Sequence, residues 1–182
     1  MAQRYSQKYT VVCLFHPEAK FTNFSADNWP LHVTILDTFK TEWQLNALCN
    51  ALEKVAADIA PFEAVPIRKE LLGEAKDVPV KLLRLDEPMS VLHNELMKLV
   101  TPGTFVFNTP EFVGNGFLPH ATDHVDNHIE ISKLYRLENI SLVDMFPAKD
   151  HMRREVVDTF SFEPVSISGL QGKSFKKLRV LK

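Results

Sequence analysis

The sequence predicts an α+β fold with mainly antiparallel sheets, and three observations point to it. Strand-length runs rich in β-branched and aromatic residues are interspersed with two segments of helical periodicity. Most neighbouring strand runs are joined by turns too short for a crossover helix, which favours antiparallel pairing over a parallel doubly wound sheet. At 182 residues, 45% hydrophobic and 24% charged, the chain suits one domain, 1–182, or two small lobes sharing a core.

Tyr9 to Phe15 is β-branched and aromatic and reads as a central strand, ended by His16-Pro17-Glu18. A loop to Asn28 leads into a second strand at about Leu31 to Leu36. Thr41-Glu42-Trp43-Gln44 has the form of a capping box. Behind it Leu45, Leu48, Cys49, Leu52, Val55, Ala56 and Ile59 share one helical face, and Pro61 ends the helix. Phe62 to Leu72 reads as extended and breaks at Gly73, with Val78 to Leu85 as its hairpin partner, Val80, Leu82 and Arg84 on one face. Asp86-Glu87-Pro88 opens a second helix striped by Leu92, Leu96 and Leu99 and stopped by Thr101-Pro102-Gly103.

Residues 104–116 are irregular, and a short strand follows at His120. Residues 123–128 read as a polar loop. Leu134 to Phe146 reads as one or two strands with a break near Glu138-Asn139, where the apolar parity switches. Residues 147–158 read as a short helix or loop. Phe160 to Ile167 and Phe175 to Leu181 read as a closing hairpin.

The net charge of −2 argues against a protein that coats long duplex nucleic acid. Cys13 and Cys49 fall on apolar faces and are expected as reduced, buried thiols. The polar N-terminus lacks the apolar core of a signal peptide, and no run is long enough to span a membrane. A cytoplasmic monomer is expected.

The only internal repeat is His-x-Thr. Trp29-Pro30-Leu31-His32-Val33-Thr34 and Phe117-Leu118-Pro119-His120-Ala121-Thr122 both place it close behind a proline in apolar, strand-like sequence. Seven histidines and ten threonines would give roughly 0.4 such matches by chance. Alternate residues of a strand share a face, so His32 and Thr34 point together, as do His120 and Thr122. Two such strands facing each other would bring two imidazoles and two hydroxyls into one cleft, a set suited to acid–base chemistry on a phosphodiester.

The paired motifs resemble those of the 2H phosphoesterase superfamily, the 2′-5′ RNA ligase and cyclic phosphodiesterase group, and the resemblance runs from about Thr10 to Leu181. It implies a two-lobed, pseudo-two-fold α+β fold, with helices on the outer faces and one His-x-Thr strand from each lobe in a central groove. It further implies a metal-independent enzyme without a cofactor. Its substrate would be a nucleotide or RNA terminus carrying a 2′,3′-cyclic phosphate, with reversible 2′-5′ ligation as a related activity. His32 and His120 would be acid and base, and Thr34 and Thr122 phosphate donors. The chain departs from the family pattern at Asp123, where an apolar residue is usual.

The alternative is a protein of this fold that binds a nucleotide or RNA end without turnover. Two complete pairs of titrating imidazoles argue for the enzyme. Phe15, Trp29, Phe117 and Tyr135 lie near the motif strands and are candidates to stack on a base, with core packing the default for each. His120, His124 and His128, spaced four apart, would form a metal face on a helix, but the sequence around them reads as strand and loop. Gly169 to Ser174 superficially matches a phosphate loop but lacks its first glycine and precedes a strand. The basic C-terminus from Lys173 to Lys182 reads as a solvated strand face, with guidance of an RNA end the alternative.

Overall fold

The computed structural model describes residues 7–100, 104–124 and 127–163. Strand β1 (Lys8–Leu14) is buried along nearly its whole length, so both of its faces carry apolar side chains. It lies between β3 (His32–Thr41) and β10 (Asn139–Asp144). A six-stranded antiparallel sheet grows around it. The strands β2 (Asn23–Ser25) and β11 (Arg153–Ser161) continue it beyond β10, and β7 (Phe105–Phe107) closes the far edge beside β3. A two-stranded sheet pairs β4 (Phe62–Ala64) with β9 (Tyr135–Leu137). A three-stranded sheet has the order β5 (Pro66–Leu72), β6 (Val78–Leu83), β8 (His120–Thr122). All the paired strands run antiparallel, as expected of the α+β class.

Two helices pack on the large sheet. Helix α1 (Leu45–Ala57) buries Leu48, Leu52 and Ala56 and lies against β10 and β11. Helix α2 (Glu87–Leu99) lies against β3 and buries Met89, Leu92, His93 and Leu96. Each fully buried leucine in these stripes stabilises the fold by about 1.5–3 kcal/mol relative to exposure. Asp86 caps α2 by accepting the Met89 N–H at 3.3 Å, and Pro88 sits in the first turn where its missing N–H does no harm. One apolar core joins the helices to all three sheets, from Val11 and Ile35 to Leu83, Ala121 and Leu137. A smaller cluster of Val12, Leu14 and Val143 lies on the other face of β1, under Phe24, Trp29 and Met145.

Several local expectations are corrected. The capping box at Thr41 does not form, because β3 continues to Thr41, where pairing with Phe105 buries it, and α1 begins at Leu45. Thr41 Oγ1 instead accepts the Trp43 N–H at 3.1 Å. The expected alternation in β6 is absent: Val80, Lys81, Leu82 and Leu83 are all buried and Arg84 is exposed, because β6 is the middle strand of its sheet. Leu99 is only half-buried. The loop before Asn28 contributes β2, an edge strand held by β11. Residues 153–158 form strand rather than helix or loop, following a short 3₁₀ turn at Pro147–Lys149. The break near Glu138 is real and separates β9 from β10. Both cysteines are free; Cys13 is buried and Cys49 half-buried. The α2 stop at 101–103 and the hairpin partner at 175–181 lie outside the described residues, as do the residues from Gly169 to Ser174 and the basic C-terminus. No helix among the described residues is long and apolar enough to cross a membrane.

Candidate active site

The two His-x-Thr segments occupy equivalent places in different sheets. In the large sheet His32 pairs with Leu14 and Thr34 with Val12. In the small sheet His120 pairs with Leu82 and Thr122 with Val80. In each motif the histidine and threonine are half-exposed while the residue between them is buried, which is the expected parity. On its outer side β3 is paired by β7 only from Phe39 to Thr41, so among the described residues the stretch holding His32 and Thr34 has no strand partner there. Among the described strands β8 is an edge strand. The two motif strands approach each other along these edges.

The backbone in front of each histidine performs the same two tasks. Leu31 carbonyl accepts the Phe15 N–H at 3.0 Å, and Pro119 carbonyl accepts the Leu83 N–H at 2.8 Å, so both segments are anchored to the neighbouring strand. The carbonyl one residue earlier is left for the imidazole. His32 Nδ1 lies 2.8 Å from the Pro30 oxygen, and His120 Nδ1 lies 2.8 Å from the Leu118 oxygen. A carbonyl only accepts, so each Nδ1 carries a proton and each neutral ring keeps its lone pair on Nε2. Two rings with one orientation device and one tautomer are thus set in place.

Their environments differ. Burial pushes His32 down from 6.5 to about 4, against the Pro30 hydrogen bond, which favours the charged form. Nearby His120 and His124 push it further in the same direction. His32 also packs against Trp29, with ring centres 4.7 Å apart. His120 instead lines an open groove of about 770 Å³ that it shares with Thr34. The walls of that groove are β3, the end of the β5–β6 hairpin around Gly73, and the loop from Thr109 to Leu118.

That loop is held by a residue that sequence patterning did not single out. His93, buried on α2, has Nδ1 2.8 Å from the Ile35 oxygen and accepts the Gly114 N–H on Nε2 at 2.9 Å. Its ring stacks on Phe117, 4.0 Å away and 2° from parallel. One imidazole therefore ties the residue after Thr34 to the segment that leads into His120. Burial holds His93 below its ordinary value, which suits a neutral ring accepting at Nε2. Gly114 adopts φ +59° there, and a Cβ on Gly116 would lie 1.8 Å from the Glu111 carbonyl oxygen, so the loop needs both glycines.

No protein-family model and no curated protein matches the chain. Among solved structures it is similar to TT0787 of Thermus thermophilus. The TM-score is 0.55 and the identity 17%, over 88% of this chain and 100% of that one. It is also similar to E. coli LigT, solved in complex with 3′-AMP, with TM-score 0.50 and 17% identity over 86% of this chain and 98% of that one. The chain has their fold. The α+β architecture expected from the paired motifs is the one shared with TT0787 and LigT.

Asp123, where the resemblance leads one to expect an apolar residue, has a partner. Lys81 on β6 is buried and its Nζ lies 2.5 Å from Asp123 Oδ1. Lys81 pairs with Ala121 and shares its face, turned away from the side bearing His120 and Thr122. The acidic residue after the second threonine thus neutralises a buried ammonium behind the motif.

Of the four aromatic candidates, Phe117 alone lines the groove, beside its stack with His93. Phe15 and Tyr135 pack against each other at 5.4 Å on the core, and the Tyr135 hydroxyl accepts the Glu130 N–H. Trp29 is held between Phe24 and His32, with the Arg154 guanidinium 5.9 Å from its ring centre. His124 is in a bridge with Asn127 and His128 is exposed; the four-residue spacing does not become a helical face, because the chain is strand and loop here. Among the described residues no three metal-ligating side chains converge. His93 was legible in one respect: it interrupts an otherwise apolar stripe of Met89, Leu92 and Leu96.

Proposed function

We propose that the protein is a 2H-type phosphodiesterase that hydrolyses 2′,3′-cyclic phosphates on nucleotides or RNA ends, with His32 and His120 as base and acid. The observation that carries this reading is the equivalence of the two motifs. Each presents a same-facing imidazole and hydroxyl, and each imidazole is oriented by the carbonyl two residues before it. The shared fold with LigT, solved with a 3′-nucleotide, supports the substrate class.

In this reading His32 is the base, since its depressed affinity for protons keeps Nε2 unprotonated at neutral pH. It takes a proton from water as the water oxygen bonds to phosphorus. His120, protonated on both nitrogens, delivers its Nε2 proton to the ribose oxygen whose bond to phosphorus breaks. The product is a phosphate monoester; His32 has gained one proton and His120 has lost one, and exchange with solvent resets both. Thr34 and Thr122 donate hydroxyl hydrogen bonds to the non-bridging oxygens, where charge grows in the transition state. No step is assigned to a metal or cofactor. In reverse, the same groups would join a hydroxyl to the cyclic phosphate.

The test is hydrolysis of a panel of 2′,3′-cyclic nucleotides and cyclic-phosphate-ended oligonucleotides in EDTA, by wild type and by the protein carrying His32→Ala and His120→Ala together. EDTA-resistant turnover by wild type that the double variant lacks is the expected result. Wild-type binding without product would favour the non-catalytic alternative.

A further inference from the structure

The groove beside His120 has a composition that the two-histidine chemistry does not require. Leu71 and Val78 on the hairpin and Phe112 and Leu118 on the opposing loop line it and are 53%, 39%, 53% and 39% exposed. Exposed apolar side chains gathered along one concavity mark a binding surface. Among the described residues the ionisable side chains of the lining, His120 aside, are Asp37, Glu74, Glu111 and Lys76. Asp37 accepts hydrogen bonds from the Thr109 amide and hydroxyl beside the groove. Two described cations near the motifs are engaged elsewhere, Lys81 in its pair with Asp123 and Arg154 with backbone carbonyls beside Trp29.

From this lining we infer that the groove selects a single cyclic phosphodiester bearing one flat, uncharged base, and rejects the same group at the end of a polyanionic chain. The inference rests on the proposed function, because it takes the reacting phosphate to lie at Thr34 and His120. With the phosphate there, the base lies along Phe112, Leu71 and Val78, exchanging apolar surface with them. The groove's volume, about 770 Å³, falls in the range of about 300–1,000 Å³ typical of small-molecule sites. A second or third phosphate in the groove would meet a described lining with more carboxylates than ammonium groups, at contact distances where salt screens little. Surfaces that track a nucleic-acid backbone carry the opposite balance, rows of lysine and arginine.

The experiment compares adenosine 2′,3′-cyclic phosphate with the same nucleotide at the 3′ end of a trinucleotide, at fixed ionic strength, by equilibrium binding and by kcat/KM. The mononucleotide is expected to bind at least tenfold tighter and to be turned over with at least tenfold higher kcat/KM. Glu74→Lys with Glu111→Lys should shrink that ratio, and Phe112→Ala should raise KM for the mononucleotide more than it lowers kcat. Equal or tighter binding of the trinucleotide, or a ratio untouched by charge reversal, overturns the inference. Binding separates this failure from that of the proposed function. Tenfold preference without turnover of either ligand upholds the groove's selectivity and overturns the hydrolase reading, whereas turnover of both ligands with equal affinity does the reverse.

Discussion

The two motif strands are alike where they touch the site and unlike everywhere else. β3 is a ten-residue strand in a six-stranded sheet, and β8 is a three-residue strand on the edge of a three-stranded one. Both nevertheless pair their histidine with a leucine and their threonine with a valine on the neighbouring strand, and both pin Nδ1 to the carbonyl two residues back. The common part is small: three strand residues, the two before them and one anchoring strand. What the larger frames add is difference in electrostatics. The first motif packs its partly buried imidazole against Trp29, and burial depresses it; the second leaves its imidazole on the wall of an open groove. Equal geometry with unequal environment is what an acid–base pair needs, since the two rings must hold different protonation states at one pH.

The comparison breaks first at the histidines. His32→Ala and His120→Ala should each lower kcat/KM on a cyclic nucleotide by ~10² or more, the usual contribution of a general acid or base. A large loss from one and none from the other, in steady-state assays, would mean that the strands are alike in shape only. Thr34→Ala and Thr122→Ala should cost less, roughly tenfold to a hundredfold each, as for one hydrogen bond to a charged group.

A second break lies behind β8, which has no large sheet to stabilise it. Asp123→Ala leaves the Lys81 ammonium buried without its partner and should lower stability by about 3 kcal/mol, read by chemical denaturation. Replacing the pair together, Lys81→Met with Asp123→Leu, should recover most of that loss. Failure to recover it would show that Asp123 supports the strand by other means.

The link between β3 and the segment leading into His120 is tested at His93. His93→Phe keeps a ring against Phe117 but loses both hydrogen bonds, and should lower stability by about 1–3 kcal/mol with one amide left unsatisfied. If His93 positions the two motif segments, kcat falls more than the stability loss explains at temperatures where the variant is fully folded. His93→Gln, which can still accept from Gly114, should recover part of kcat.

The electrostatic difference gives the smallest and most specific effect. With His32 at about 4, the acid limb of kcat/KM should fall as pH drops through about 4, as protonation removes the base. NMR titration of the ring should show His32 neutral at pH 6. The unfolded chain binds protons at its histidines near 6.5, so below that pH it takes up protons that folded His32 refuses. Stability should therefore decline from about pH 6.5 towards 4, and His32→Asn should flatten that decline.

How much of this was written in the sequence depends on distance along the chain. Strand parity is a local property, so the facing of His32 with Thr34 and of His120 with Thr122 followed from spacing alone. The helical stripe of α1 was equally legible. Its start was not, because pairing of Thr41 with Phe105, far away in sequence, outweighed a local capping signal. Lys81 read as one more polar strand residue until β8 covered it, and His93 as a polar intrusion in a helix face until Ile35 and Gly114 were seen on its two nitrogens. The groove's charge balance was likewise unreadable, since β3, a hairpin end and a loop contribute to it from separate stretches.

The most direct measurement is single-turnover hydrolysis of one cyclic mononucleotide in EDTA by wild type, His32→Ala, His120→Ala and the double variant. Two rings acting on one phosphate in one step should give a double variant no slower than the slower single variant, because the residues act as a unit. Losses that multiply in the double variant, or a single variant that retains wild-type turnover, would contradict a shared acid–base site.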